Sequence, residues 1–292
     1  MTAHAPAATA LYDVPGPHAR RRHLLYGLAA TAVIIGIVAW GVVLLVDTHQ
    51  FTAAKWAPFE YKGVQELLLR GLANTLRAFG YAAVLSLALG GLLACGRLSE
   101  HRPLRWAATL VVEFFRAMPV LVMIFFVFVA LKVQPLPALV TGLTLYNGSV
   151  LAEVFRTGVN AVDRGQREAA YSLGMYKTQV MTHVLVPQAL RAMLPTIISQ
   201  LVVALKDTSL GFLITYEEFL HAGKLIASNL DYDLPFIPVV MIISPIYIGM
   251  CMLLSWLATW AAKRQRRSPK TEAVEVAPAE PVTMMPGTGA HP

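Results

Sequence analysis

The chain has 292 residues, of which 56% are hydrophobic and 14% are charged, and its formal net charge is +7 at pH 7. With a mean hydropathy of +0.57 and apolar runs of membrane-spanning length, it is not expected to be a soluble globular protein. The positive charge is typical of basic residues kept on the cytoplasmic side of a membrane, so no nucleic-acid binding is predicted. Cys95 and Cys251 each lie in an apolar run, which favours neither a disulfide framework nor a zinc site.

The N-terminal part is predicted to be a disordered cytoplasmic tail, residues 1–23, followed by a transmembrane helix, residues 24–46. Arg20, Arg21 and Arg22 precede the apolar run Leu24–Val46. A cleaved signal peptide is the alternative, but its apolar part is usually ~7–15 residues and ends near a small-residue cleavage site. No A-x-A site follows directly, so the helix is predicted to be retained.

Five further spans follow in chain order. Their predicted limits are about Leu72–Gly96, Trp106–Leu131, Pro137–Phe155, Gln188–Leu205 and Phe236–Ala262. A short helix is predicted around Tyr216–Ser228, and residues 263–292 are predicted to be a second disordered cytoplasmic tail. The fold class is therefore an all-α integral membrane protein with six transmembrane helices.

Basic residues indicate the orientation of the six spans. The loops on the side of both termini hold 16 Lys and Arg residues, whereas the loops on the other side hold 6. Because cytoplasmic loops are enriched in Lys and Arg, both termini are predicted to be cytoplasmic.

The loop between the fourth and fifth of the six spans carries local signals for two short helices. Asp163 followed by Gln166 is an acidic version of a capping box and predicts a helix start. Gly174 is suited to the left-handed position that ends a helix. A second short helix is predicted from about Tyr176 to Val184, stopped by Pro187.

This loop resembles the cytoplasmic E-A-A loop of ABC-importer permeases. The residues that carry the resemblance are Glu168, Ala169, Ala170, Leu173, Gly174 and Pro187, within a coupling loop at 163–187. The flanking segments are similar to the polar amino-acid branch of the family (the glutamate, glutamine and histidine type). An ordinary interhelical loop is the alternative. The resemblance implies a five-helix permease core at 66–262, outside which the first helix is an extra element.

The resemblance also implies function and partners. It implies a subunit that moves a polar amino acid, glutamate first, across the bacterial cytoplasmic membrane. The partners would be a cytoplasmic ABC ATPase, a second permease chain in a homodimer or heterodimer, an extracytoplasmic solute-binding protein and membrane lipid. ATP and Mg would bind the ATPase, since this chain has no P-loop motif. No cofactor, no metal and no enzymatic activity are expected of the chain itself.

Ionisable residues within spans are candidates for the substrate pathway, because they are costly to keep in a membrane. Arg116 lies ten residues after Trp106, or ~15 Å along a straight helix, which is about half of a ~30 Å hydrocarbon core. Glu113 is one turn away. The pair offers partners for the carboxylate and ammonium of an amino acid, and mutual neutralisation is the alternative. The family usually has R-G-T/S-P here, whereas this chain has Met118 before Pro119.

Lys206, Asp207, Thr208 and Ser209 end the fifth predicted span and resemble a K-D-T-S element of the family. They are predicted to line the outer end of the pathway, with an ordinary helix terminus at the headgroups as the alternative. Glu153, near the inner end of the fourth span, is interpreted as a solvated interface residue.

Two other classes of protein remain as alternatives. An ion-gradient-driven secondary amino-acid transporter would show an internal inverted repeat, and no repeat is evident between the two halves. A membrane scaffold would not need charges within its spans.

Overall fold

A computed structural model describes residues 16–266. The predicted tails therefore lie mostly outside the described residues. Where they overlap the structure, at 17–23 and 263–266, the chain is helical, because the first helix begins at Pro17 and the last ends at Arg266.

Ten α-helices make up most of the described chain, with no strand among the described residues. They are α1 (Pro17–Asp47), α2 (Lys62–Leu98), α3 (Arg102–Ala117), α4 (Val120–Phe125), α5 (Pro135–Asn160), α6 (Arg164–Ser172), α7 (Lys177–Gln179), α8 (Val186–Asp207), α9 (Phe219–Ala227) and α10 (Phe236–Arg266). Two π-helical stretches, Phe126–Ala130 and Val180–Leu185, follow α4 and α7. A 3₁₀ segment, Thr208–Ile214, follows α8.

The predicted count of six spans is confirmed. Among the described residues, five helices are long and apolar enough to cross a membrane, and a bent pair formed by α3 and α4 completes the sixth. The two halves of this pair meet at 101°. Met118, at φ −81° and ψ 135°, is extended because Pro119 disfavours the helical region for the residue before it.

Helix α1 differs from the other spans in its packing. No residue of its apolar window is buried against the rest of the chain. The predicted extra helix is thus present, and its side chains are left for lipid or for another chain.

The core of the protein is the close contact of α2 with α5, with α4 packed on α5. At Gly90 in α2, an added Cβ would lie 2.8 Å from Cβ of Leu151 and 3.0 Å from the carbonyl oxygen of Gly148. At Gly142 in α5, it would lie 3.1 Å from backbone atoms of Ile124. Small residues let helix backbones approach this closely in membranes, where the gain comes from van der Waals packing.

A second core cluster joins the 163–187 loop to the spans. Ala170 of α6 is buried together with Leu151 and Val159 of α5, and with Val180 and Leu185 of the π-helical stretch. The loop is therefore packed as part of the folded structure on one side.

The glycine contacts give a prediction with a matched pair. Gly90→Ala should destabilise the protein by ~1–3 kcal/mol, as overpacking does. Gly91→Ala, at a neighbouring position where an added Cβ meets nothing within 4 Å, should be neutral or stabilise by up to ~1 kcal/mol through helix propensity. Thermal unfolding of the two purified variants measures this, and equal midpoints would contradict the described α2–α5 contact.

Candidate functional site

The first helix of the 163–187 loop is fixed at both ends by local chemistry. Asp163 caps α6 by accepting a hydrogen bond from the Gly165 N–H at 2.7 Å. Gln166 does not complete a capping box, and its side-chain oxygen instead accepts from Nε2 of Gln188 at 3.4 Å. At the other end Gly174 has φ +77°, so the predicted left-handed position is confirmed.

The loop has one packed face and one open face. Ala170 is buried, whereas Glu168, Ala169 and Gly174 are exposed. Leu173 is 82% exposed and Tyr176 is 78% exposed. The bend at Gly174 thus presents large apolar side chains to the surroundings of the protein.

The prediction that Pro187 stops the second helix is wrong. Helix α7 passes through the π-helical stretch Val180–Leu185 directly into α8, in which Pro187 occupies the first turn. Proline is tolerated in the first turn of an α-helix, and the wider π-turns before it relieve the clash that a proline ring makes with the preceding turn. The loop therefore continues without a break into the span that ends at Asp207.

An ion pair joins the loop to the connection between α2 and α3. Nζ of Lys177 lies 2.5 Å from Oε1 of Glu100. The hydrogen bond from Lys177 and its charge hold the pKa of Glu100 below its usual value. Because both groups are largely exposed, this pair positions the loop more than it stabilises the fold.

Five charged side chains from three helices meet near the same end of the spans, and we call them the charge cluster. Its members are Arg97 of α2, Glu113 and Arg116 of α3, and Glu153 and Arg156 of α5. The two carboxylates lie among three guanidinium groups, so the cluster carries one excess positive charge.

Arg97 is at the centre of the charge cluster. Its side chain is 8% exposed, and it lies 2.7 Å from Oε2 of Glu153 and 3.3 Å from Oε1 of Glu113. Arg156 pairs with Glu153 at 2.6 Å. Arg97 thereby links the end of α2 to both α3 and α5.

The predicted pairing of Glu113 with Arg116 is part of this larger arrangement. Nη1 of Arg116 lies 3.7 Å from Glu113 and 3.9 Å from Glu153, and its side chain is 36% exposed. The depth estimate for Arg116 assumed a straight span, whereas α3 and α4 are bent by 101°. Arg116 shares Glu113 and Glu153 with Arg97, which is next to the last residue of α2. The interpretation of Glu153 as a solvated interface residue is wrong, since its side chain is 22% exposed and contacts three arginines.

Sequence reasoning missed Arg97 and the ion pairing of Glu153, although a signal was available. The same pattern, Glu-x-Phe-Arg, occurs at Glu113–Arg116 and again at Glu153–Arg156. Each pattern places opposite charges one helical turn apart. Two such turns within neighbouring spans predict a shared cluster.

The predicted K-D-T-S residues lie at the opposite end of α8. Lys206 is exposed and Asp207 and Ser209 are half-buried. Thr208 is fully buried, and its hydroxyl donates to the carbonyl of Leu205 at 2.6 Å. Thr208 therefore supports the start of the 3₁₀ segment and is closed to a solute. The structure does not bring these residues into contact with the charge cluster.

A buried carboxylate fixes the short helix α9 against the spans. Glu218 accepts hydrogen bonds from the N–H groups of Leu220 at 2.8 Å and His221 at 2.6 Å, and from the hydroxyl of Tyr247 in α10 at 2.9 Å. Thr75 of α2 accepts from the Phe219 N–H at 3.0 Å. Burial raises the pKa of Glu218 to about 7. The short helix predicted around Tyr216–Ser228 is confirmed, and this anchor was not foreseen.

No group of histidine, cysteine and carboxylate side chains that could hold a metal ion is found within residues 16–266. What the geometry offers is a packed helical bundle, an exposed apolar bend rigidly joined to a span, and charged groups between spans. These features are those of a polytopic helical membrane protein with one exposed apolar loop.

Comparison with known proteins identifies the class. Residues 86–267, more than half of the chain, match the family of binding-protein-dependent transport system inner membrane components. The glutamate transport system permease protein GluD of Corynebacterium glutamicum is 42% identical over 199 residues, which cover 65% of this chain and 73% of that protein. The probable glutamine ABC transporter permease protein GlnP of Bacillus subtilis is 33% identical over 200 residues, which cover 67% of this chain and 92% of that protein.

A solved structure agrees with the sequence comparisons. The crystal structure of an amino acid ABC transporter with histidines has a chain that superposes with a TM-score of 0.63 at 29% identity, covering 68% of this chain and 94% of that chain. The chain therefore belongs to the family of binding-protein-dependent transport system inner membrane components, as the transmembrane permease subunit of an amino-acid ABC importer. It is a non-catalytic, multi-pass subunit of the inner membrane, and ATP hydrolysis occurs on a separate subunit. This membership decides against the secondary-transporter and scaffold alternatives.

The charge cluster gives a prediction that separates its buried centre from its exposed rim. Arg97→Gln should destabilise the protein by ~3 kcal/mol, because it removes the buried guanidinium that makes the shorter contacts to both carboxylates. Arg116→Gln should cost at most ~1 kcal/mol, because its longer and partly exposed contacts resemble a surface pair. Thermal unfolding in detergent compares the two, with Arg97→Lys as the variant that keeps the charge. A larger loss for Arg116→Gln than for Arg97→Gln would contradict this arrangement.

Proposed function

We propose that two permease chains, identical or different, pair to form a pathway for glutamate or another polar amino acid. A solute-binding protein delivers the amino acid on one side, and an ATPase subunit carrying ATP and Mg acts on the 163–187 loop on the other. The glutamate system permease GluD, at 42% identity, and the glutamine permease GlnP, at 33% identity, support this substrate class.

The exposed bend of the loop is the observation that carries the proposal. Leu173 and Tyr176 are more than three-quarters exposed on an element whose other face is packed. Large apolar side chains held open on a rigid support are typical of a surface that binds another protein. We propose that the ATPase covers Leu173, Gly174 and Tyr176, with Glu168 and Ala169 on the same exposed face.

Movement of this bend has two physical routes into the spans. One route runs through buried Ala170 and the continuous helical chain from Lys177 to the end of α8. The other runs through the Lys177–Glu100 ion pair to the connection between α2 and α3. Both routes are direct contacts, so displacement of the loop would tilt α8 and α3 together.

The proposed orientation places both termini and the coupling loop in the cytoplasm. It rests on the bias of 16 basic residues against 6 in the two sets of loops. The proposed domain limits are a permease core at 66–262 and an extra helix at 24–46, with tails at 1–23 and 263–292. The unpacked state of α1 supports its separation from the core.

We place Glu113 and Arg116 in the pathway on the basis of their exposure. Their side chains are 54% and 36% exposed, whereas Arg97 beside them is 8% exposed. The excess positive charge of the cluster suits a solute that carries an extra carboxylate. Lys206, Asp207 and Ser209 are proposed for the opposite end of the pathway, with Thr208 holding the turn behind them.

A substitution at the bend tests the proposal. Gly174→Val places a β-branched residue at positive φ, where an ordinary residue costs ~1–2 kcal/mol. An added side chain there meets nothing within 4 Å, so the substitution acts through the backbone alone. We expect the variant to insert normally and to lose no more than ~1–2 kcal/mol of stability. It should nevertheless lose most of its ATP-driven uptake in proteoliposomes that also contain the ATPase and binding protein.

The matched control is Gly174→Asn, because Asn tolerates the left-handed conformation. It should retain most of the uptake. Normal uptake by Gly174→Val at normal expression would contradict the proposed role of the bend.

A further inference from the structure

Two apolar cavities flank the end of α2 that lies near the coupling loop. The α2–α8 groove has a volume of 530 Å³ and is lined mainly by Leu87, Gly91, Cys95, Phe155, Val186 and Leu190. The α2–α3 groove has a volume of 580 Å³ and is lined mainly by Leu92, Cys95, Leu104, Ala107 and Val111. Cys95 and Ser99 line both grooves, so the two meet at the end of the helix.

Each groove has the size of a site for an elongated apolar group. The volumes fall within the ~300–1,000 Å³ found for ligand sites. The α2–α8 groove follows α2 from Leu87 to Leu98, which is ~16 Å along the helix. This length is about half of a ~30 Å hydrocarbon core, so the groove is about as long as one leaflet is thick.

Polar groups close the α2–α8 groove where the leaflet would end. Ser99, Glu100 and His101 line it on one side, and Lys177 and Thr178 line it on the other. Arg102 and Arg105 follow in the first turn of α3 and are exposed. Together with Lys177, these two arginines place three positive charges near the polar end of the groove, where Glu100 is the one carboxylate among the groups named here.

We propose that the two grooves hold the two acyl chains of one phospholipid, with an anionic headgroup at the Ser99–His101 connection. A pair of apolar grooves that share one polar end matches a two-chain amphiphile. The excess of basic groups favours a negatively charged headgroup, as basic sites beside transmembrane helices do.

The other possible occupant within this chain is α1, and it fits less well. A single helix is a cylinder ~10 Å across and would fill one groove and leave the other empty. Arg20, Arg21 and Arg22 near its start would also face the basic end of the grooves if the proposed orientation holds.

The site has a consequence for coupling. Lys177, Thr178, Met181 and Thr182 form one wall of the α2–α8 groove, and these residues belong to the segment that joins α6 to α8. A bound phospholipid would brace this segment against α2, so lipid composition would alter the transmission of movement from the coupling loop.

The test uses Cys95, which is exposed and lies where the grooves meet. Cys251, the other cysteine, is replaced by Ala. The full chain with its ATPase is placed in nanodiscs of phosphatidylcholine, with or without phosphatidylglycerol, and the rate of Cys95 alkylation by a membrane-permeant maleimide is measured. We expect alkylation about fivefold slower with phosphatidylglycerol, since one basic side chain at a membrane surface contributes an effect of that size.

Three variants locate the effect. Gly91→Leu fills the α2–α8 groove and should bring the ratio of the two rates to about one, whereas Gly80→Leu, also in α2 and also with open space around it, should leave the ratio unchanged. Lys177→Gln should reduce the ratio by weakening the headgroup contact. Because each variant is judged by its own ratio, direct shielding of Cys95 by a new side chain cancels.

Three results would overturn the proposal. The first is equal alkylation rates in the two lipid compositions, and the second is the same ratio for Gly91→Leu and Gly80→Leu. The third is protection of Cys95 that is independent of lipid composition and disappears on deletion of residues 17–47 or coincides with disulfide cross-linking of Cys95 between two chains. That result would assign the grooves to α1 or to a second permease.

Discussion

Charged groups are costly to hold between apolar helices, and the part of the protein near the 163–187 loop is arranged so that these groups pair with one another. Arg97, with 8% of its side chain exposed, is kept there because Glu113 and Glu153 both contact it. A guanidinium without such partners would be expensive among membrane-spanning helices. The same contacts fix the relative positions of α2, α3 and α5, which close glycine packing brings together further along. Ion pairs near the helix ends and small-residue packing further along thus hold α2, α3 and α5 together as one unit.

The 163–187 loop is packed against this unit and is not a flexible connection. Its inner face is buried through Ala170, its second helix continues into α8 through the π-helical stretch, and Lys177 reaches back to Glu100. π-helical turns occur frequently at functional sites, where they change the direction or registry of a helix. At the far end, Glu218 and Thr75 hold α9 against α2 and α10. If Gly174 is displaced, these packed contacts are therefore expected to transmit the displacement to the spans.

The sequence predicts features that depend on interactions within a few residues better than features that depend on tertiary contacts. The six spans, the short helix at Tyr216–Ser228, the Asp163 cap and the left-handed Gly174 follow from hydropathy, capping and glycine chemistry, which act within a few residues. The charge cluster could not be read in the same way, because Arg97 meets Glu113 and Glu153 through tertiary packing alone. The continuity of the helix through Pro187 depends on π-turns that have no clear sequence signal, and the straight-span estimate for Arg116 did not include the 101° bend. The repeated Glu-x-Phe-Arg pattern was the one indication of the cluster.

We propose that the bend at Gly174 faces the cytoplasm, where an ATPase can reach it. Single cysteines at Ser172, beside the bend, and at Ser228, after α9, test it most directly in a chain whose Cys95 and Cys251 are replaced by Ala; both serines are exposed. A membrane-impermeant maleimide should label position 228 in intact cells from outside and position 172 only after the cytoplasmic side is opened. Labelling of position 172 from outside intact cells would contradict the account.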